Sequence, residues 1–236
     1  MSKAVFFDLD GTLLGMDMET FIKHYLKELA AYAVPMGYEP KEIVDAMWKC
    51  TAEMVRNDGS CSNYDRFWRA FAELCGERVY DDIPAFNKFY SNEFHGVRGS
   101  CTPDGAAARA AVAAARAWAD VVVLSTNPLF PYDAVATRLS WVGLSMEDFD
   151  LVTTYENATL CKPNPAYYHE IMGKLNLKAE DILMVGNDMQ EDMLASEKAG
   201  ILRRYFVTDW AINRDDTPVT MPCGSLRDFP AWLKKQ

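Results

Sequence analysis

The sequence predicts an α/β protein in which a doubly wound parallel sheet carries an inserted all-helical segment. Three observations support this class. Short apolar runs such as Val121–Leu124 and residues 182–185 have no polar interruption, which is typical of parallel strands covered on both faces. These runs alternate with helical patterns after about residue 100, as in open parallel sheets with right-handed crossovers. Residues 17–95 show helical periodicity alone.

The first predicted element is a buried strand at Ala4–Phe7. Four apolar residues run directly into Asp8 and Asp10, and a glycine comes next. Acids and glycine after an apolar run indicate that the strand ends in a sharp turn.

The next region, residues 17–95, is predicted to be a bundle of amphipathic helices. Apolar residues recur at i, i+3, i+4 and i+7 in four stretches, which begin near residues 18, 43, 64 and 83. Each of the first three stretches ends at a segment that contains Gly, Pro or Asn-Asp-Gly, as expected for turns. We expect the aromatic stripe of Trp48, Trp68 and Phe71 to lie in the core of this bundle rather than to form a platform for a substrate.

From about residue 100 the predicted elements alternate. They are a helix from Pro103 to Trp118, a strand at Val121–Leu124, a helix over 131–141, a strand at Leu151–Val152, a helix over 167–175, a strand at 182–185, a helix ending near 199–200, a strand at 205–207 and a short helix over 226–233. The opening strand joins this sheet. We therefore expect a core of residues 1–14 and 100–236, interrupted by a helical domain of residues 15–99.

Composition limits the function. Of the 236 residues, 50% are hydrophobic and 12% aromatic, enough for a folded core, and the formal charge is −10. That charge argues against coating nucleic acid or an anionic membrane, but a small anionic substrate can still bind in a locally positive pocket. The six cysteines form no CxxC pair and the histidines show no zinc spacing. With no signal-peptide pattern and no apolar run of about 20 residues, we expect a cytoplasmic protein without a membrane span.

Polar side chains follow the predicted strands at their carboxyl ends, where open parallel sheets bind ligands. They are Asp8, Asp10, Thr126, Asn127, Lys162, Asp188 and Asp192. Clustered carboxylates without histidine or thiolate partners suit Mg²⁺. A lysine adds a compact positive charge, and hydroxyl and amide groups donate hydrogen bonds to phosphoryl oxygens. The set therefore predicts phosphate chemistry, in which an aspartate attacks phosphorus to give an aspartyl-phosphate.

Four motifs make the prediction more specific. They are Asp8-Leu9-Asp10-Gly11-Thr12, Thr126-Asn127, Lys162-Pro163 and Gly186-Asn187-Asp188-x-x-x-Asp192. With these motifs in this order, the sequence resembles phosphohydrolases of the haloacid dehalogenase superfamily. The resemblance implies a Rossmann-like core, dependence on Mg²⁺ and a helical cap between the first and second motifs. Residues 15–99, which we call the cap segment, occupy that position.

The resemblance also implies a role for each motif residue. Asp8 would be the nucleophile and a metal ligand, and Asp10 the acid and base, with its backbone carbonyl on the metal. Thr126, Asn127 and Lys162 would hold phosphate, with Lys162 also serving catalysis, and Asp188 and Asp192 would complete the metal site.

Two departures and three structural alternatives stay open at this point. Asn187 stands where many members have aspartate, which leaves open whether Asn187 or Asp188 faces the metal. Ser125 offers a second hydroxyl beside Thr126, and we expect Thr126 to be the one used. The alternatives are a capping role for Thr126-Asn127, a solvated loop lysine at Lys162, and Asp188 as a helix N-cap with Asp192 on a solvent-facing side.

Together these features predict a Mg²⁺-dependent phosphatase that hydrolyses a small phosphorylated metabolite through an aspartyl-phosphate. The alternative is a phosphomutase of the β-phosphoglucomutase type, which passes the phosphoryl group from the same intermediate to a sugar. A dehalogenase is disfavoured because Asp10 suits protonation of an oxygen leaving group. A non-catalytic binding protein is disfavoured because Asp8, Asp10 and Lys162 are all present.

Overall fold

The apolar runs of the sequence form six strands in the computed structural model, which describes residues 3–236. The strands are β1 (Ala4–Phe7), β2 (Val121–Leu124), β3 (Leu151–Val152), β4 (Ile182–Gly186), β5 (Arg203–Val207) and β6 (Cys223–Gly224). All neighbouring strands pair in parallel, in the order β3-β2-β1-β4-β5-β6. Strand β1 therefore lies inside the sheet, between β2 and β4.

Both faces of the sheet are buried. Along β1, Val5 and Phe7 point into one apolar cluster, while Ala4 and Phe6 point into the other. This alternation explains why the strand has no polar position, because neither face meets water. Phe7 packs edge-on against Phe229, with ring centroids 5.6 Å apart.

The described residues form nine α-helices, and the last five of them cover the two faces of the sheet. The nine helices are α1 (Met18–Ala33), α2 (Pro40–Val55), α3 (Asn63–Cys75), α4 (Val79–Ser91), α5 (Gly105–Trp118), α6 (Tyr132–Trp141), α7 (Pro165–Leu175), α8 (Ala195–Lys198) and α9 (Phe229–Leu233). The buried residues of α5, α6 and α9 join one cluster, and those of α7 and α8 join the other. The predicted doubly wound α/β class is therefore confirmed.

The chain between β1 and α5 is helical, with α1–α4 followed by a 3₁₀ segment at Glu93–Ser100. Local capping explains where these helices begin. Asp17 accepts a hydrogen bond from the backbone N–H of Thr20 at 2.9 Å, and Ser62 accepts one from Asp65 at 3.0 Å. Gly76 closes α3 at a φ of 86°, a conformation that glycine adopts at little cost.

The aromatic stripe of the cap segment divides in a way that the sequence did not predict. Trp68 and Phe71 are buried, at 4% and 1% exposure, and pack against each other and against Phe86. Trp48 is 53% exposed, so its expected place in the core was wrong. The helix pattern is satisfied without it because Met47 and Cys50 fill the buried side of α2.

The start of one helix and the presence of one strand also differ from prediction. The helix expected from Pro103 begins at Gly105, because Asp104 is the N-cap and accepts a hydrogen bond from the N–H of Ala107 at 3.1 Å. Strand β6 was not predicted, since a Cys-Gly pair has no strand pattern of its own. No helix within residues 3–236 combines the length and the apolar character needed to cross a membrane.

Candidate active site

The carboxyl ends of β1, β2 and β4 open into a cavity of about 250 Å³. Its sheet side is lined by the predicted residues Asp8, Asp10, Thr126, Asn127, Asp188 and Asp192. Strand order reverses at β1, which is where open parallel sheets form a ligand crevice. The fold therefore brings together side chains from positions 8 to 192 of the chain.

Lys162 lies at the base of this site, beneath Asp8. Its ammonium group donates hydrogen bonds to Asp8 Oδ1 at 2.9 Å and to Asp192 Oδ1 at 2.7 Å, and the side chain is 1% exposed. Burial disfavours the charged form of Lys162, but the two carboxylates outweigh it and raise the pKa above its usual value. Lys162 is therefore a buried cation, and the alternative of a solvated loop lysine is wrong.

Asp10 is paired with Arg138 of α6, a residue that sequence reasoning missed. Arg138 is fully buried, with one terminal nitrogen on Asp10 Oδ2, Nε on the carbonyl of Ala134 at 3.2 Å, and the guanidinium 4.3 Å from the ring centroid of Phe130. Burial raises the pKa of Asp10, and the charge of Arg138 opposes that shift. The available signal was an arginine on the apolar face of α6, one turn after the buried Ala134.

The turn after β1 is held by a side-chain bridge to the turn after β4. The hydroxyl of Thr12 donates to Asn187 Oδ1 at 2.8 Å and to Asp8 Oδ2 at 3.3 Å, while Asn187 Nδ2 donates to the carbonyl of Trp210 at 2.7 Å. Gly11 has a φ of +88°, and a Cβ there would lie 2.2 Å from Asn187 Nδ2. Asn187 lines the cavity, but both polar atoms of its amide are engaged in holding this turn.

A π-helical turn at Met189–Leu194 places the last two predicted acids. Asp188 is its N-cap, because Oδ1 accepts from the N–H groups of Gln190 and Glu191, both at 2.9 Å. The N–H of Asp192 bonds to the carbonyl of Asp188 at 2.9 Å, and that of Met193 to the same oxygen at 3.2 Å, which is the wider i→i+5 pattern. Asp188 therefore is an N-cap, as the alternative proposed, and its carboxylate also lines the cavity.

Asp192 does not lie on a solvent-facing side, so that alternative is wrong. Its side chain is 1% exposed, with Oδ1 on Lys162 and Oδ2 accepting from the N–H of Asp188 at 3.0 Å. Burial raises the pKa of Asp192 against the attraction of the Lys162 ammonium group. Both of its oxygens thus already hold other parts of the site.

The β2 end contributes three polar residues with different surroundings. Ser125 is fully buried and its hydroxyl donates to the carbonyl of Phe7 at 3.2 Å, whereas Thr126 lines the cavity. Asn127 donates from Nδ2 to Glu191 at 3.0 Å and accepts at Oδ1 from the N–H of Lys162 at 3.2 Å. Glu191 was not predicted. Burial raises its pKa, and it adds a further acid to the cavity wall.

Arg214 covers the outer side of the site. Its two terminal nitrogens reach Asp188 at 3.1 and 2.8 Å, a two-point contact with the carboxylate. The side chain is 53% exposed, so it lies at the mouth of the cavity rather than in its base. Each of the four predicted acids therefore contacts a basic side chain.

The donor chemistry bears on whether Mg²⁺ fits. Within residues 3–236, no group of three or more His, Cys, Asp or Glu side chains is placed to hold a metal ion. Mg²⁺ commonly binds through one or two carboxylates and completes its octahedron with water and phosphate oxygens. Asp8 and Asp188 both line the cavity and supply oxygen donors of this kind. The residues present thus fit a magnesium ion that is shared with a phosphorylated ligand.

Comparisons with known proteins agree with this architecture. The family model of haloacid dehalogenase-like hydrolases matches residues 2–200. The chain is 35% identical over 77 residues to phosphoglycolate phosphatase of Yersinia pestis, covering 33% of this chain and 32% of that protein. It is 25% identical over 216 residues to glyceraldehyde 3-phosphate phosphatase of Methanothermobacter thermautotrophicus, covering 85% and 84%. The structure of a 2-haloacid dehalogenase from Pseudomonas syringae superimposes with a TM-score of 0.63 at 18% identity, covering 100% and 99%, which shows a shared fold.

Proposed function

The chain belongs to the haloacid dehalogenase-like hydrolases, and from that premise we propose that it is a Mg²⁺-dependent phosphatase acting on a small phosphorylated metabolite through an aspartyl-phosphate. One observation carries the proposal: the Asp8 carboxylate lines the cavity while Lys162 holds its Oδ1 at 2.9 Å. Two relatives named as phosphatases support this reaction class.

Asp8 is the proposed nucleophile. A carboxylate oxygen forms a bond to phosphorus, and the bond from phosphorus to the leaving oxygen breaks. Lys162 and Thr12 contact the two oxygens of Asp8, so the carboxylate has a defined orientation before substrate binds. In the second half of the reaction, water attacks phosphorus and the bond to Asp8 breaks, which restores the carboxylate.

Asp10 is the proposed acid and base. Burial raises its pKa, which makes this carboxyl group easier to protonate and so suits proton transfer to the leaving oxygen. The resulting carboxylate then takes a proton from the attacking water. A halide leaving group needs no proton, so an acid at this position favours an oxygen leaving group over dehalogenation.

Thr126, Asn127 and Lys162 are proposed to hold the phosphate group. Thr126 and Asn127 line the cavity on the side of β2, and Lys162 lies behind Asp8 with its charge fixed by two carboxylates. Asn127 Oδ1 also accepts from the N–H of Lys162 at 3.2 Å, and this contact supports a shared role for the two residues.

The proposed metal ligands are Asp8, the backbone carbonyl of Asp10 and Asp188. A bound Mg²⁺ would offset negative charge on the phosphoryl group. Asp192 was also expected among the ligands. Asp192 lines the same cavity, and we propose that it completes the metal site while it also fixes Lys162 and the N–H of Asp188.

The division into a core of residues 1–14 and 100–236 and a cap segment of residues 15–99 is part of the proposal. Helices α1 and α2 supply the wall of the cavity opposite Asp8. In this arrangement the cap segment shields the phosphoryl group from bulk water and contacts the leaving group. The phosphomutase alternative uses the same residues, with a sugar hydroxyl in the place of water.

The test is phosphate release from 4-nitrophenyl phosphate with Mg²⁺. We expect Asp8→Asn to lower kcat by at least about 10³-fold, and EDTA to abolish turnover until Mg²⁺ is restored. Asp45→Asn is the matched control, because Asp45 is an exposed aspartate of α2 that pairs with Lys41. Circular dichroism and thermal unfolding establish that both variants fold. Turnover by Asp8→Asn at the wild-type rate contradicts the nucleophile assignment, and transfer of phosphate to an added sugar phosphate identifies a mutase.

A further inference from the structure

The cavity has two ends of opposite character. The end formed by the sheet carries the acids described above. The other end is formed largely by the cap segment, and its side chains are mostly apolar. They include Met18, Ile22 and Leu26 of α1, Met47 and Trp48 of α2, and Phe130. The leaving group of a phosphate ester held at Asp8 would point into this apolar end.

The polar groups that line this apolar end are few and mostly engaged. The hydroxyl of Tyr25 pairs with that of Tyr90 at 2.7 Å. Arg214 is the only basic side chain among the described residues that line the cavity, and both of its terminal nitrogens bind Asp188. Thr51 adds one hydroxyl. A carboxylate or a row of sugar hydroxyls placed here would lose its hydrogen bonds to water and find few hydrogen-bond partners in the protein. Burial of a hydrocarbon group at the same place is favourable.

The basic residues of the cap segment do not change this picture. Lys23 is bound to Glu19 with 73% of its side chain exposed, and Arg66 is bound to Glu53. Neither lines the cavity. The cap segment thus offers the leaving group apolar contact without a positive charge to recognise an anion.

Trp48 is the most informative residue of this wall. It is 53% exposed although it belongs to a helix whose neighbouring residues Met47 and Cys50 are buried. Because Trp48 lines the cavity beside other apolar side chains of α1 and α2, its indole is well placed to contact an aromatic or aliphatic group of a ligand.

We propose that the substrate is a phosphate monoester of an uncharged alcohol made mainly of aromatic or aliphatic carbon, with that carbon packed against Trp48 and the apolar residues of α1. The inference rests on the proposed phosphatase function and names its substrate class. Hydrolysis proceeds by the steps given above, and the alcohol leaves with the proton from Asp10.

The test compares phosphate esters that share a primary alcohol as leaving group, so that the chemistry at phosphorus stays similar. The probes are 2-phenylethyl phosphate, n-hexyl phosphate, methyl phosphate, phosphoglycolate and glycerol 3-phosphate. We expect kcat/KM for 2-phenylethyl phosphate to exceed that for phosphoglycolate by about tenfold or more, because each polar group that stays unpaired in the apolar end opposes binding.

Variants locate the effect. Trp48→Ala should lower kcat/KM for 2-phenylethyl phosphate by about tenfold, mainly through KM, and by much less for methyl phosphate, whose leaving group has no carbon chain to reach the indole. Trp48→Phe should keep most of the preference. The control is Tyr80→Ala, which removes a 46% exposed aromatic residue of α4 that does not line the cavity, and it should change neither substrate.

The outcomes separate the two proposals. If 4-nitrophenyl phosphate is hydrolysed but phosphoglycolate or glycerol 3-phosphate is preferred, the substrate class is wrong and the phosphatase function stands. An equal loss on all esters in Trp48→Ala also overturns the assignment, because it indicates a structural role. If no ester releases phosphate, the proposed function fails and the substrate class fails with it.

Discussion

Replacing Arg138 with methionine removes the cation beside Asp10 while keeping most of the volume of the side chain. Arg138 is fully buried, and its guanidinium contacts both Asp10 and the ring of Phe130. Methionine retains apolar contact but leaves the Asp10 carboxylate without its partner. Breaking a buried ion pair in this way costs about 3–5 kcal/mol, so we expect a loss of that size in the free energy of unfolding at pH 7.

A double-mutant cycle with Asp10→Asn separates the charge effect from packing. Asp10→Asn alone leaves Arg138 buried and unpaired, whereas the double variant has no buried charge at either position. We therefore expect the double variant to lose less stability than the two single variants together, with a coupling energy of about 2 kcal/mol. Urea unfolding followed by circular dichroism gives the four free energies.

The same variant has a predicted pH dependence. Burial raises the pKa of Asp10, and removal of Arg138 takes away the charge that opposes this rise. A carboxyl group with a raised pKa in the folded state holds its proton more tightly when folded, so its stabilising effect is present at low pH and is lost as pH rises through that pKa. The deficit of Arg138→Met relative to wild type should therefore shrink as the pH is lowered from 7. Additive free energies together with a deficit that does not change with pH would refute the reasoning.

Two further predictions concern the turn after β1 and the thiols. Gly11→Ala should lower the free energy of unfolding by about 1–3 kcal/mol, because φ at Gly11 is +88° and the new Cβ would lie 2.2 Å from Asn187 Nδ2. Thermal unfolding measures this loss. The control is Gly173→Ala, which should not destabilise the protein because its Cβ would meet nothing within 4 Å. Burial raises the pKa of Cys161 to about 12, whereas Cys223 is exposed, so a disulfide reagent at pH 8 should label Cys223 first and reach Cys161 only on unfolding. Equal labelling rates by mass spectrometry would contradict the second expectation.

The strands were predictable because of where they lie. A parallel strand covered on both faces admits no polar side chain, so the apolar runs at Ala4–Phe7 and Val121–Leu124 coincide with β1 and β2. Strand β6 forms for a different reason, which is its pairing with β5. Cys223 pairs with Phe206 of β5, and that contact, rather than any local preference of a Cys-Gly pair, makes the segment a strand.

Within the site, the acids and Lys162 could be located because each follows a strand end, and parallel strands bring these ends together. The places of Arg138 and Trp48 in the site could not be predicted in this way. Helical periodicity assigns a residue to the apolar face of its helix, but it does not identify which part of the protein that residue contacts. Arg138 lies on the stripe of α6 that reaches the end of β1, and Trp48 lies on the part of α2 that borders the cavity.

The charges around the cavity explain how a chain with a net charge of −10 could bind an anion. Among the described residues, five acids of the site (Asp8, Asp10, Asp188, Glu191 and Asp192) are accompanied by three basic side chains (Arg138, Lys162 and Arg214). Each of these basic side chains also contacts an acid, so part of its positive charge is offset before a phosphate dianion binds. The described acids of the site thus outnumber its basic side chains by two. A divalent cation would reduce this excess of negative charge when a phosphate ester binds, which supports the proposed dependence on Mg²⁺.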